Sequence, residues 1–183
     1  MTDEKTVSDP NWSTKRVEIY LGDLFIIAPD VVISGGWAWH FLSPPGHVET
    51  KFSHDHRDVS MFVAPSRMTS VSLDIGELGF TECVLKTDKS HGKVPKDEFH
   101  RYEKFVDNVG LKMVFEVTVR EVPFRTIGEY QVLDPKELLK LYEKSTADWG
   151  AVVAARKLIA EGIDPQGRPE LMGLPTLRGS KEI

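Results

Sequence analysis

The sequence predicts an α+β protein: a mixed β-sheet flanked by helices, with further helices at the C-terminal end. Three observations carry this. The patterns run in the order helix, strand, short helix, a block of extended segments, an inserted helix, more strands and two closing helices. LKMVFEVTVREV (residues 111–122) alternates with period two, the mark of a strand. At 183 residues, 40% hydrophobic and 28% charged, the chain is sized and composed for one folded unit.

The first eleven residues are polar and contain Pro10, so they form a lead-in, and the folded unit is expected over residues 12–165. Val17, Tyr20, Leu21 and Leu24 share a helical face, and Pro29 closes that helix. Val31, Val32 and Ile33 read as a buried strand ending at Gly35-Gly36, and the aromatic stretch from Trp37 to Leu42 reads as a short helix stopped by Pro44 and Pro45. Residues 46–57, GHVETKFSHDHR, are aperiodic and predict a surface loop. DVSMFVA then predicts a strand with Val59, Met61 and Val63 on one face and Asp58, Ser60 and Phe62 on the other.

Two extended segments are expected next, at 70–75 and 79–86, joined by a hairpin-like connection over Gly76 to Leu78, before a surface loop from Thr87. Phe99, Tyr102, Phe105, Val106 and Val109 mark an amphipathic helix ended by Gly110. After the alternating strand, PFRTIGEYQVL is extended. In Asp134-Pro135-Lys136-Glu137 the acid caps a helix, proline takes the first position and glutamate follows three residues on. A last helix is expected from Ala147 to Ala160, and the Gly- and Pro-rich residues 166–183 form a tail that wraps or frays.

Composition excludes several classes. Cys83 is the only cysteine, so there is no internal disulfide framework and no multi-cysteine metal knuckle; its apolar neighbourhood predicts a small buried side chain. A formal charge of -5 offers no broad attraction to a nucleic-acid backbone. No apolar run is long enough for a bilayer, and the acidic start MTDEKTVSD lacks the features of a secretory signal, so a cytoplasmic protein is expected.

Chemistry concentrates in the middle of the chain. A strand that ends in Ser34-Gly35-Gly36 and runs into a helix lets backbone N–H groups approach phosphate oxygens, although such pairs also make ordinary tight turns. Asp58 and Ser60 share a strand face, and Glu116 lies on the polar face of a later strand. If the two strands are neighbours, Asp58 and Glu116 can share a divalent cation with Ser60 as a weaker oxygen ligand or donor; otherwise both acids simply face water. His47, His54 and His56 form a second candidate cluster, for zinc or iron in a small histidine-site metalloenzyme, in a loop that can also simply place histidines in solvent. Trp37 and Trp39 suit either base stacking or core anchoring.

Taken together, ISGGWAWHF, HDHRDVSMFV, LDPKELLKLYEK and ADWGAVVAARKLIAEG resemble the nucleotidyltransferase superfamily, in particular its minimal and antibiotic- or toxin-type members. The resemblance spans about Val31 to Gly162. It implies a mixed sheet flanked by helices and transfer of a nucleoside monophosphate from a nucleoside triphosphate to a hydroxyl with Mg2+ or Mn2+. It also implies that Gly35 and Gly36 face the triphosphate, that Asp58 is the first metal ligand and Glu116 the third carboxylate, and that His54, His56 and Arg57 contact phosphate or base. Ser60 stands where the family pattern has a second acid; Asp55 and Asp74 are the nearby carboxylates available to compensate, off the expected spacing. That departure leaves a second expectation open: a catalytically inactive domain of the same fold that binds a nucleotide or a protein partner. For the active form the resemblance leaves little of the chain for acceptor recognition, so either a small hydroxylated acceptor or a partner subunit supplying specificity is expected, with a homo-oligomer left open.

Overall fold

A computed structural model describes residues 14–42, 58–83, 96–106 and 111–144, together with the single helical positions 156 and 160. Four helices and seven strands appear among them: α1 (Thr14–Ile27), β1 (Val32–Ile33), α2 (Gly35–Leu42), β2 (Val59–Val63), α3 (Met68–Glu77), β3 (Thr81–Glu82), β4 (Phe99–Val106), β5 (Leu111–Val119), β6 (Phe124–Ile127), β7 (Tyr130–Leu133) and α4 (Pro135–Lys144). The strands form one sheet in the order β3-β4-β5-β2-β1-β7-β6. It is mixed, since β2 runs parallel to β5 and β1 parallel to β7 while the other four pairings are antiparallel. The α+β expectation therefore holds.

Alternation along the central strands builds the core. Val59 and Met61 of β2 lie opposite Phe115 and Val117 of β5, and all four are buried. Removing such side chains from water contributes roughly 1.5–3 kcal/mol each. α1 covers them with Tyr20, whose ring packs 6.2 Å from Phe115 and whose hydroxyl accepts the Val114 N–H at 3.0 Å. α2 joins through Trp37, 5.5 Å from Tyr20, and Phe41, 4.5 Å from Tyr130. Trp39 stacks on Tyr142 of α4 at 6.4 Å. Both tryptophans of α2 are fully buried, so they anchor the core and offer no face to a base.

The chain from 70 to 75 differs from the extended segment expected there: it lies inside α3. Val71, Leu73 and Ile75 alternate, but Val71 and Ile75 are also four residues apart, and the helix buries these two while leaving Leu73 65% exposed. Ser72 on the same helix shares a 3.1 Å hydrogen bond with the Tyr102 hydroxyl, which ties α3 to the sheet. Asp74 accordingly sits on a helix and not on the strand next to Asp58. Gly76 to Leu78 end α3 instead of making a hairpin, and the Leu78 N–H closes the helix on the Asp74 carbonyl at 3.0 Å.

A second difference is β4, a strand where helical spacing predicted a helix. Eight consecutive residues pair with β5, from Phe99 opposite Thr118 to Val106 opposite Leu111. Helical periodicity there would bury Phe105 with Tyr102, whereas the strand buries Tyr102 and exposes Phe105. Long-range pairing overrides local pattern when the alternation fits the partner.

The piece at 123–133 is two strands joined through Gly128, whose φ of +60° suits the first position of a tight hairpin turn. α4 starts as its motif predicted, with Asp134 Oδ1 accepting the Lys136 N–H at 2.9 Å. Cys83 is half-buried and not fully enclosed; burial first, then the Glu103 carboxylate, push its thiol pKa up, which suits an inert group. The loop at 46–57, the end of the extended segment beyond Cys83 and the predicted last helix, save Arg156 and Ala160, lie outside the described residues, as do both termini. Among the described residues no helix is long and apolar enough to cross a membrane.

Candidate active site

The glycine turn, the end of β1 and the middle of β2 meet at one point. The Ser34 N–H donates to the Ser60 carbonyl at 2.8 Å, extending the β1–β2 ladder by one residue. Gly35 follows with a φ of +63°, a conformation costly for any residue with a Cβ. A Cβ built on Gly35 would lie 3.5 Å from both Cβ and Oγ of Ser60. The chain then turns directly into α2, where the Ala38 N–H reaches back to the Ser34 carbonyl at 3.3 Å. The first-turn N–H groups of Gly35, Gly36 and Trp37 have no intrahelical acceptor. They are the kind of donors that receive phosphate oxygens.

The condition set on the carboxylates is met at the level of strands: β2 and β5 are neighbours, with Ser60 directly opposite Glu116. Such opposed residues on adjacent strands are about 5 Å apart. Asp58 sits at a bend that immediately precedes β2, two positions before Ser60. Ser34, Gly35, Ser60 and Glu116 are thus brought together, with Asp58 at the near end of the same strand. His47, His54, His56, Arg57 and Asp55 fall outside the described residues.

Glu116 is 5% exposed and does not stand alone. Arg101, opposite it on β4, donates through Nη1 to Glu116 Oε1 at 2.8 Å and through Nε to Glu103 Oε1 at 3.1 Å. Lys112 Nζ lies 2.7 Å from Glu103 Oε2. The Lys112 hydrogen bond, against the opposing effect of burial and with help from Arg101, holds the Glu103 carboxyl below its usual range. Sequence reading missed Arg101 and Glu103 because it wound this segment into a helix. The available signal was charge alternation: Arg101 and Glu103 two apart before Gly110, then Lys112 and Glu116 at matching parity.

As a donor set for a cation, Asp58, Ser60 and Glu116 supply two carboxylates and a hydroxyl, all hard oxygens of the kind magnesium and manganese take. Two carboxylates and one hydroxyl are donors of the kind that one such cation takes. Among the described residues no group of three or more His, Cys, Asp and Glu side chains gathers as a metal cluster.

No protein-family model matches the chain, and neither does any curated protein. Among solved structures it is similar to one described as the crystal structure of the Megavirus polyadenylate synthase, at 12% identity and a TM-score of 0.42, over 82% of this chain and 36% of that one. The chain spans about a third of that protein's length, and nothing of that protein's activity is transferred to it.

Proposed function

We propose that this chain is a nucleotidyltransferase-like domain that moves a nucleoside monophosphate from a nucleoside triphosphate to a hydroxyl of a small acceptor. The observation that carries the reading is the register of parallel strands β2 and β5, with Ser60 opposite Glu116 and the positive-φ Gly35 turn against Ser60. Gly35 and Gly36 receive the triphosphate oxygens on their N–H groups. Asp58 and Glu116 hold one divalent cation, which when bound neutralises phosphate charge and makes the acceptor hydroxyl easier to deprotonate. The acceptor oxygen forms its bond to the α-phosphorus as the bond to pyrophosphate breaks, and the hydroxyl proton passes to solvent.

The test is calorimetric titration of the chain with ATP and with GTP in excess Mg2+, paired with a pyrophosphate-release assay on hydroxylated small molecules in Mn2+. Binding by the native chain is expected, with release reduced about a hundredfold or more in Asp58→Asn and in Glu116→Gln. No binding of any nucleoside triphosphate would remove this reading.

The Arg101–Glu116 ion pair and Ser60 together favour a second reading, a domain that binds the nucleotide without transferring it. Nucleotide binding with no release by the native chain, and release gained in Ser60→Asp, would select it.

A further inference from the structure

Arg101 links Glu116, which the proposed reaction uses, to a line of charges that it does not use. Lys112 meets Glu103, Glu103 meets Arg101, and Arg101 meets Glu116, at 2.7, 3.1 and 2.8 Å. Because Arg101 and Ser60 flank Glu116 from β4 and β2, guanidinium, carboxylate and hydroxyl form a row across three adjacent strands. A carboxylate as buried as Glu116 requires a counter-charge, and the guanidinium already supplies one. A divalent cation seeking Glu116 would lie a few ångströms from that guanidinium, where two positive charges repel strongly in a partly dry site.

We infer that Arg101 is a positioning residue that acts as the built-in counter-cation of Glu116 and so weakens divalent-cation binding at the Asp58, Ser60 and Glu116 face. The inference rests on the cation site of the proposed function. Glu103 completes the device. It holds the Nε side of the same guanidinium, so Arg101 keeps a carboxylate partner when a cation draws Glu116 away. The fork geometry of arginine permits this double grip, which a lysine point charge does not reproduce.

The experiment is calorimetric Mn2+ binding and Mn2+-dependent melting of the full chain, without nucleotide. The set is native, Arg101→Gln, Arg101→Met, Arg101→Lys, Asp58→Asn and the double variant Arg101→Gln with Glu116→Gln. Arg101→Gln should bind Mn2+ about tenfold more tightly or better, and Mn2+ should raise its melting temperature more than that of the native chain. The double variant should lose both gains, because the carboxylate that the cation would gain is gone. Equal or weaker binding by Arg101→Gln overturns the inference. Should that variant fail to fold, Arg101→Met, which removes the same charge, decides: tighter Mn2+ binding than native supports the inference and equal binding overturns it, while Arg101→Lys, which keeps the charge, should stay nearer the native affinity. If Asp58→Asn abolishes Mn2+ binding while the Arg101 variants match the native affinity, the cation site stands and the role of Arg101 falls. If no member of the set binds Mn2+, both fall.

Discussion

Gly35 concentrates the site's backbone requirement in one residue. Its φ of +63° costs a residue with a Cβ about 1–2 kcal/mol. The 3.5 Å approach to Ser60 is by contrast an ordinary van der Waals contact. Gly35→Ala should therefore lower stability by about 1–2 kcal/mol in urea unfolding, and adding Ser60→Gly should not restore it, because strain in the backbone and not crowding is the cause. Recovery in the double variant would point to crowding instead. The glycine pair was readable in the sequence as a phosphate turn, but its positive φ and its seat against Ser60 depend on where β2 passes. Arg101 left only a faint trace in the sequence, the charge alternation it shares with Glu103, since its meaning as a site residue lies in the residue opposite it on β5.

At the scale of elements, legibility followed the amount of independent local signal. β5 alternates over nine residues and α4 carries its own cap and proline, so both were evident before any tertiary contact. α3 and β4 were not, because Val71 and Ile75 fit both periods and the aromatics of β4 happen to fall at helical intervals. In each case the partner decides: α3 buries one stripe on the sheet, and β4 zips to β5 along its whole length. The α3 assignment makes a distinguishing prediction. A strand would place Val71, Leu73 and Ile75 on one face and make all three truncations comparable. The helix makes Ile75→Ala cost about 2–5 kcal/mol, while Leu73→Ala changes stability by no more than about 0.5 kcal/mol. Thermal or urea unfolding of the two variants separates the cases, and similar losses would refute the helix.

Over the whole molecule, mixed sheet order converts residues more than fifty positions apart into one face, and this is why Asp58, Ser60 and Glu116 were legible as candidates but not as neighbours. Their adjacency comes from β5 inserting beside β2 in parallel, a long-range choice that period-two patterns alone do not dictate. The same assembly sets how stability follows pH. On the acid side, Glu103 titrates below its usual range, chiefly through its Lys112 hydrogen bond. Its contribution is present above the ordinary carboxylate pKa and lost as pH falls through the depressed folded value. On the alkaline side, burial first and the Glu129 charge second push Tyr130 up to about 12. An unfolded tyrosine ionises near about 10. The folded chain thus holds the phenol proton more tightly than the unfolded one. Stability from Tyr130 is complete below pH about 10 and lost as pH rises from about 10 to about 12. Unfolding free energies of native and Tyr130→Phe chains, compared across that window, should keep a constant gap up to pH about 10 and then shift in favour of the phenylalanine variant as the native chain weakens. A gap that stays constant to pH about 12 would show that Tyr130 ionises as freely in the fold as out of it, and would remove its ring from the buried packing against Phe41.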